Sequence, residues 1–224
     1  MMKIPVVRDI LEVNDRIAEE NRAIFLENEV FVLNIMSSPG AGKTSLLERT
    51  IDALHKEIRI GVIEGDIQTS IDAMRISKKG VPAVQINTDE ACHLDGNMIR
   101  ATFDSLDLKA LDLLIIENVG NLVCPAEFDT GENHKVVILS VPEGDDKPSK
   151  YPLMFHEASV MLINKIDLLP YVDCSVDTIK ETSLKINPNL EIFEVSCKTH
   201  EGLSKWYEWV KQKVHECKQG KSEK

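Results

Sequence analysis

The chain has 224 residues, of which 43% are hydrophobic, enough for one well-buried α/β domain with little left for a second. Its net charge of -11 argues against the basic face that gripping nucleic acid requires, so no nucleic-acid partner is expected. No apolar run approaches the ~20 residues that span a bilayer and no basic-then-apolar leader opens the sequence, so the expectation is a cytoplasmic protein with no membrane partner.

Residues 3–28 carry an amphipathic helical pattern, with Ile10, Leu11, Ile17, Ile24, Phe25 and Leu26 set among Arg, Asp and Glu. It reads as an N-terminal extension, 1–28, packed on the main domain, with a partner-binding arm as the alternative. The main domain is expected over 29–217 and a disordered tail over 218–224.

The apolar run Val30–Met36 predicts the first strand. Ser37-Ser38-Pro39-Gly40-Ala41-Gly42-Lys43-Thr44 follows, and a helical pattern from Ser45 to about Lys56 comes next. Strand, Gly-rich turn, Gly-Lys-Thr and helix is the context of a phosphate-binding P-loop. Glycines let successive backbone N–H groups turn inward around an anion, and the helix N-terminus adds unpaired donors and a positive dipole end. The phosphate-binding positions are Pro39, Gly40, Ala41, Gly42, Lys43, Thr44 and Ser45. Lys43 is expected to reach the β/γ-phosphates and the Thr44 hydroxyl to sit on Mg²⁺. The strict pattern begins with Gly, where this chain has Ser37.

Further along, Ile58–Glu64 predicts a strand ending in Gly65-Asp66, Ile71–Lys79 a helix stopping at Gly80, and Ala83–Ile86 a short strand. Glu90–Ala101 predicts a helix with Cys92 and His93 in its first turn. Leu113–Glu117, Val136–Val141, Val160–Asn164 and Ile192–Val195 read as strands. Leu203–Lys218 reads as a helix with Trp206, Trp209, Val210 and Val214 on one side. Strands alternating with helices predict a three-layer α/β P-loop NTPase, its mainly parallel sheet covered on both faces. Ligands of such sheets bind at the carboxyl ends of the strands, where the motifs fall.

A P-loop does not separate ATP from GTP; Asn164-Lys165-Ile166-Asp167 does. Guanine presents N1–H and N2–H₂ along one edge, and a single carboxylate accepts both. Asp167 opposite adenine would keep unpaired lone pairs, and a site built on such bonds discriminates by ~10⁴-fold or more. Lys165 would lay its stem over the base and Asn164 would tie loops together. Ser196-Cys197-Lys198, after the last strand, fits a loop offering a backbone N–H to guanine O6, or is a plain strand-to-helix turn. Asp66 and Glu117 are the acidic positions for Mg²⁺ and the attacking water: one holds the ion with Thr44, directly or through water, and the other orients the nucleophile. Gly120, closing Glu117-Asn118-Val119-Gly120, is placed to meet the γ-phosphate through its N–H, which makes the segment a switch.

Five cysteines, Cys92, Cys124, Cys174, Cys197 and Cys217, are scattered and form no disulfide framework. Cys92, His93 and Cys124 offer thiolate and imidazole ligands suited to Zn²⁺ or Ni²⁺. Three ligands do not close a tetrahedral site, so water or a second subunit completes the shell. Cys124 lies just past the Glu117–Gly120 switch, so GTP and metal affinities are expected to be reciprocally coupled. His55, His134, His156, His200 and His215 are isolated, and Cys174 and Cys217 have no evident co-ligands. The turn-rich loop 142–150 is either solvated surface or the carrier of a Lys that reaches a nucleotide across a dimer.

Ser38–Thr44, Glu64-Gly65-Asp66, Cys92-His93, Glu117-Asn118-Val119-Gly120-Asn121-Leu122-Val123-Cys124-Pro125 and Asn164–Asp167 occur in one order, and together they resemble the HypB family of hydrogenase nickel-incorporation GTPases. The similarity covers about residues 10 to 215. It implies a SIMIBI-class G domain and GTP-dependent homodimerisation with slow hydrolysis to GDP. It implies nickel or zinc binding through Cys92, His93 and Cys124 at the dimer interface, and a switch I acid at Asp66. The implied partners are a HypA-like nickel/zinc protein and the hydrogenase large-subunit precursor. An N-terminal Cys-rich or His-rich nickel site, present in some members, does not carry over. The competing readings are a related chaperone GTPase for urease or a cobalamin enzyme, and an ATP-dependent small-molecule kinase. The kinase lacks an Arg-rich lid here and is disfavoured by Asn164–Asp167.

Overall fold

The computed structural model describes residues 8–66, 71–89 and 91–220. Seven parallel strands form one sheet in the order β3-β2-β4-β1-β5-β6-β7. They are β1 Phe31–Ser37, β2 Ile60–Asp66, β3 Ala83–Asn87, β4 Leu113–Glu117, β5 His134–Ser140, β6 Val160–Asn164 and β7 Glu191–Glu194. Around the sheet lie α1 Arg8–Glu27, α2 Lys43–Leu54, α3 Ile71–Ser77, α4 Gly96–Arg100, α5 Cys124–Glu127, α6 Lys147–Lys150, α7 Pro152–Glu157, α8 Val176–Ile186 and α9 Leu203–Gln219. This is the expected three-layer α/β arrangement.

Strand β1 is central and buried along its whole length, because helices cover both faces. Alternation divides its side chains. Phe31, Leu33 and Ile35 pack with Leu46, Leu47, Trp206 and Val210 of α2 and α9, whereas Val32, and Val30 just before the strand, pack with Phe25 of α1. Trp206 stacks on Trp209 with ring centroids 5.4 Å apart, and its indole N–H donates to Thr50 Oγ1 at 2.9 Å. The heaviest burial therefore lies directly beneath the P-loop helix.

Several boundaries differ from the sequence reading. Helix α1 covers Arg8–Glu27, and the predicted residues 3–7 lie outside the described residues. Among its described side chains Asn14, Ala18, Asn21 and Phe25 are buried, and Leu26 is exposed. Two of these are polar because they serve backbone: Asn14 Oδ1 accepts from Gly96 N at 2.8 Å, and Asn21 Nδ2 donates to Gly96 O at 2.8 Å. The helix predicted from Glu90 begins only at Gly96, where the Asp95 side chain caps Met98 N at 2.8 Å; Cys92 and His93 therefore sit in the loop before it. The tail prediction starts too early. Lys218 and Gln219 belong to α9, and Lys218 Nζ lies 2.6 Å from Asp112 Oδ1, while residues 221–224 lie outside the described residues. Helix α8, opened by Ser175 accepting from Thr178 N, went unread between the last two strands.

Candidate nucleotide and metal site

The P-loop leaves β1 at Ser37 and turns through two left-handed glycines, Gly40 (φ 78°) and Gly42 (φ 110°). A Cβ at Gly42 would lie 2.4 Å from Asn164 Nδ2, so this glycine is required by backbone angle and by close approach alike. Lys43, the first residue of α2, folds its Nζ to 3.2 Å from the buried Ser37 hydroxyl. Ser37 thus supplies a side-chain acceptor where the strict motif has glycine. Ser38 donates its hydroxyl to Glu143, which also caps the end of β5 by accepting from Ser140 N and Oγ.

Two acids face the loop from neighbouring strands. Glu64 of β2 and Glu117 of β4 are register partners, and both are buried. Glu117 Oε1 accepts from Thr44 Oγ1 at 2.8 Å. Burial and then the Glu117 charge push the Glu64 carboxyl up to about 10, so Glu64 holds a proton at neutral pH. Burial also raises Glu117, opposed by Lys43 and Thr44. The Oε2 atom of each acid is buried with no hydrogen-bond partner among the described residues. Asp66, two residues past Glu64, ends β2 opposite Asn87 and lines the same cleft. Pro39, Gly40, Ser45, Asp72, Arg75 and Gly120 also line this cleft of about 460 Å³. Gly120 lies close on Pro39, where an added Cβ would be 3.2 Å from the Pro39 nitrogen. Glu64 was read only as part of the Glu64-Gly65-Asp66 motif, with no role of its own, and Arg75 was not singled out. Two-residue spacing from Asp66 on a strand would have placed Glu64 on the same face.

An adjoining cleft of about 500 Å³ shares Gly42 and Ser45 with the first and is lined by Arg49, Asn164, Lys165, Asp167, Cys197 and Lys198. Asn164 joins three loops: Nδ2 donates to Ala41 O at 2.9 Å, while Oδ1 accepts from Lys165 N at 2.8 Å and Cys197 N at 3.3 Å. Lys165, left-handed at φ 62°, reaches Gly40 O with Nζ at 2.7 Å. Asp167 Oδ1 accepts from Ser196 Oγ at 2.6 Å, and Ser196 Oγ in turn accepts from Thr199 N at 3.1 Å. Arg49 Nε donates to Cys197 O at 3.0 Å. The P-loop, the Asn164–Asp167 segment and the Ser196–Lys198 loop therefore form one continuous surface.

Cys92, His93 and Cys124 converge, their ligand atoms all within 4.8 Å of one another. The two sulfurs are 2.7 Å apart, and Cys92 Sγ is 3.8 Å from His93 Nδ1. His93 stacks on Phe128 with centroids 3.7 Å apart. Burial lowers the His93 pKa, which favours the neutral, ligating imidazole. The Cys124 thiol is raised, first by its bond to Cys92 and then by burial. This donor set fits a borderline-soft ion.

Elsewhere, a cavity of about 590 Å³ between α1 and β5 contains no phosphate-binding element, and its Arg22 and Asp129 pair at 2.5 Å. In the 142–150 loop, Lys147 lies over the Tyr151 ring at 5.7 Å and Lys150 pairs with Asp146 at 2.5 Å.

An all-parallel sheet carrying a P-loop, with an Asn-Lys-x-Asp loop beside it, defines a SIMIBI-class P-loop nucleotide-binding domain. The signal recognition particle receptor FtsY of Elizabethkingia anophelis shares this fold at a TM-score of 0.55 and 15% identity, covering 82% of this chain and 66% of that one. The family model described as "CobW/HypB/UreG, nucleotide-binding domain" matches residues 31–194. The hydrogenase maturation factor HypB of Azotobacter vinelandii is 54% identical over 207 residues, covering 92% of this chain and 68% of that protein. The crystal structure of HypB from Helicobacter pylori in complex with nickel superposes with a TM-score of 0.87 at 45% identity, covering 91% of this chain and 95% of that one. The Helicobacter pylori protein is described as a hydrogenase/urease maturation factor. The chain belongs to the HypB hydrogenase maturation factors within the CobW/HypB/UreG family. That membership displaces the kinase reading.

Proposed function

We propose that this chain hydrolyses GTP to GDP and uses the cycle to control a nickel or zinc site during [NiFe]-hydrogenase maturation. The observation that carries the reading is the short path from Glu117, bonded to Thr44 in the phosphate cleft, to Cys124 in the metal cluster. Lys43 neutralises the β/γ-phosphates once it leaves Ser37. Pro39 to Ser45 surround them with backbone N–H groups and the α2 N-terminus. Thr44 and Glu117 would hold Mg²⁺, with Asp66 as the further acid; their hard oxygens and the unpartnered Glu117 Oε2 suit that ion. Bound there, Mg²⁺ would neutralise charge developing on the phosphate oxygens. Gly120 N–H senses the γ-phosphate. Asp167 accepts from the guanine edge, Lys165 covers the base, and Ser196, Cys197 and Lys198 frame its O6 side.

Nickel or zinc is cargo, taken by Cys92, His93 and Cys124. Three ligands leave a position for water or for a second copy in a GTP-dependent homodimer. A HypA-like nickel/zinc protein and the hydrogenase large-subunit precursor are the proposed partners, in the cytoplasm. Among the described residues, no helix is long and apolar enough to cross a membrane. A urease client is the second reading, favoured by the description of the Helicobacter pylori relative.

Phosphate release from GTP by wild type and Lys43→Ala tests the engine. Loss of turnover by about 10²-fold or more is expected, and retained turnover would overturn the P-loop assignment. ATP displacing GTP at similar concentration would overturn the guanine assignment.

A further inference from the structure

Cys124 has an evident route to the nucleotide, since it follows Glu117–Gly120 along the chain. Cys92 and His93 have none in sequence: they stand in the loop between β3 and α4. The residue after them supplies one. Leu94 is fully buried and touches the ends of both acid-bearing strands. Its backbone N–H donates to Asn118 Oδ1 at 3.0 Å, one residue beyond Glu117. Its side chain lies on the α-carbon of Gly65, the residue between Glu64 and Asp66; a Cβ there would be 2.7 Å from Leu94 Cδ1 and 2.8 Å from Cγ.

Asn118 is itself held from behind. Its Oδ1 also accepts from Val119 N at 2.9 Å, and its Nδ2 donates to Asn34 Oδ1 at 3.1 Å on the central strand. Asn34 in turn donates to the buried Glu132. Such a buried, side-chain-bonded amide has one orientation in a given backbone geometry. A displacement of the Glu117–Gly120 segment therefore moves the acceptor of the Leu94 N–H. Close packing against Gly65 leaves Leu94 no slack to absorb it.

We infer that Leu94, held between Asn118 and Gly65, is the positioning residue that transmits nucleotide state to Cys92 and His93. The inference rests on the GTP and metal assignments proposed above. The metal site then has two arms that answer to one cleft. One arm carries Cys124 along the chain from Glu117, and the other carries Cys92 and His93 through Leu94. The ligands come together or part as the two arms move against each other.

The test is Ni²⁺ titration of the full chain, saturated with GDP or with a non-hydrolysable GTP analogue, for wild type and Asn118→Ala. Wild type is expected to show an affinity ratio between the two states of about fivefold or more, and Asn118→Ala a ratio near one. Saturation removes any effect of weaker nucleotide binding. An unchanged ratio in Asn118→Ala overturns the Leu94 link while leaving the coupling itself standing. A wild-type ratio of one sinks the coupling and the link together. Should the variant not fold, hydrogen exchange at the Leu94 amide of wild type decides. Protection that changes several-fold between the two nucleotides supports the link, and equal protection overturns it.

Discussion

Glu64 and Glu117 stand opposite each other on adjacent parallel strands, and burial raises both carboxyls. Glu64 lies above its ordinary range, at about 10, in the nucleotide-free fold. The sign follows. Between pH 4.5 and about 10 the native chain keeps a proton that the unfolded chain has lost. This contribution to stability is full below pH 4.5 and is lost as pH rises through the folded value. One such proton gives a slope of up to about 1.4 kcal/mol per pH unit. Glu64→Gln mimics the protonated acid, so its stability in the absence of nucleotide and Mg²⁺ is expected to fall less steeply with pH than that of wild type. Denaturant unfolding across neutral and mildly alkaline pH measures both slopes, and equal slopes would show that Glu64 does not carry the extra proton.

That pair also shows where sequence reading stops. Leu113–Glu117 and Val160–Asn164 were legible to the residue because strands buried on both faces read as unbroken apolar runs. Strand β2 was read from Ile58 and ends at Asp66 as expected, but it begins only at Ile60. The face of α1 was misread because Asn14 and Asn21 are buried to serve Gly96, and polar residues carry no apolar period. A five-residue helix such as α4 has too few turns to show a period, so Cys92 and His93 were assigned to a helix. The motif residues were legible as groups, and the fold gathers each group into one cleft or cluster. Their contacts through Leu94 and Asn118 join residues 24 apart in sequence and leave no periodic trace.

Gly40 and Gly42 separate two kinds of glycine requirement. Both have positive φ, but a Cβ at Gly40 meets nothing within 4 Å, whereas one at Gly42 meets Asn164 Nδ2. Gly40→Ala should cost only backbone strain, about 1–2 kcal/mol. Gly42→Ala should cost more and should also expel Asn164 from Ala41, opening the seam between the two adjoining clefts. GTP affinity and unfolding free energy, measured together on both variants, test the ordering. Equal losses would contradict the Asn164 contact.

Asp167→Asn isolates base recognition from loop support. The new amide keeps an oxygen for the Ser196 hydroxyl, which Asp167 Oδ1 accepts at 2.6 Å, so the loop geometry should survive. Its NH₂ would then face the guanine N–H groups, donor against donor. Loss of about 3 kcal/mol, roughly 10²-fold in GTP affinity, is expected. Xanthosine triphosphate, which carries a carbonyl where guanine carries its amino group, should bind the variant better than GTP does. Competition between the two nucleotides on wild type and variant is the measurement. Unchanged guanine selectivity would contradict the assignment of Asp167.

Cys124→Ala bears on the proton balance of metal uptake. Thiol ligands bind as thiolates, so metal binding releases their protons and strengthens with pH. The Cys124 thiol lies above its ordinary value, so it is protonated at neutral pH and surrenders one proton on ligation. His93, lowered by burial, is already neutral there and surrenders none. Log metal affinity plotted against pH, between about 6.5 and 8, should therefore lose about one unit of slope in Cys124→Ala. His93→Ala should weaken binding yet keep the wild-type slope. Titrations with Ni²⁺ and Zn²⁺ at several pH values separate these outcomes. A Cys124→Ala slope equal to that of wild type would place the released proton on another group and remove Cys124 from the ligand set.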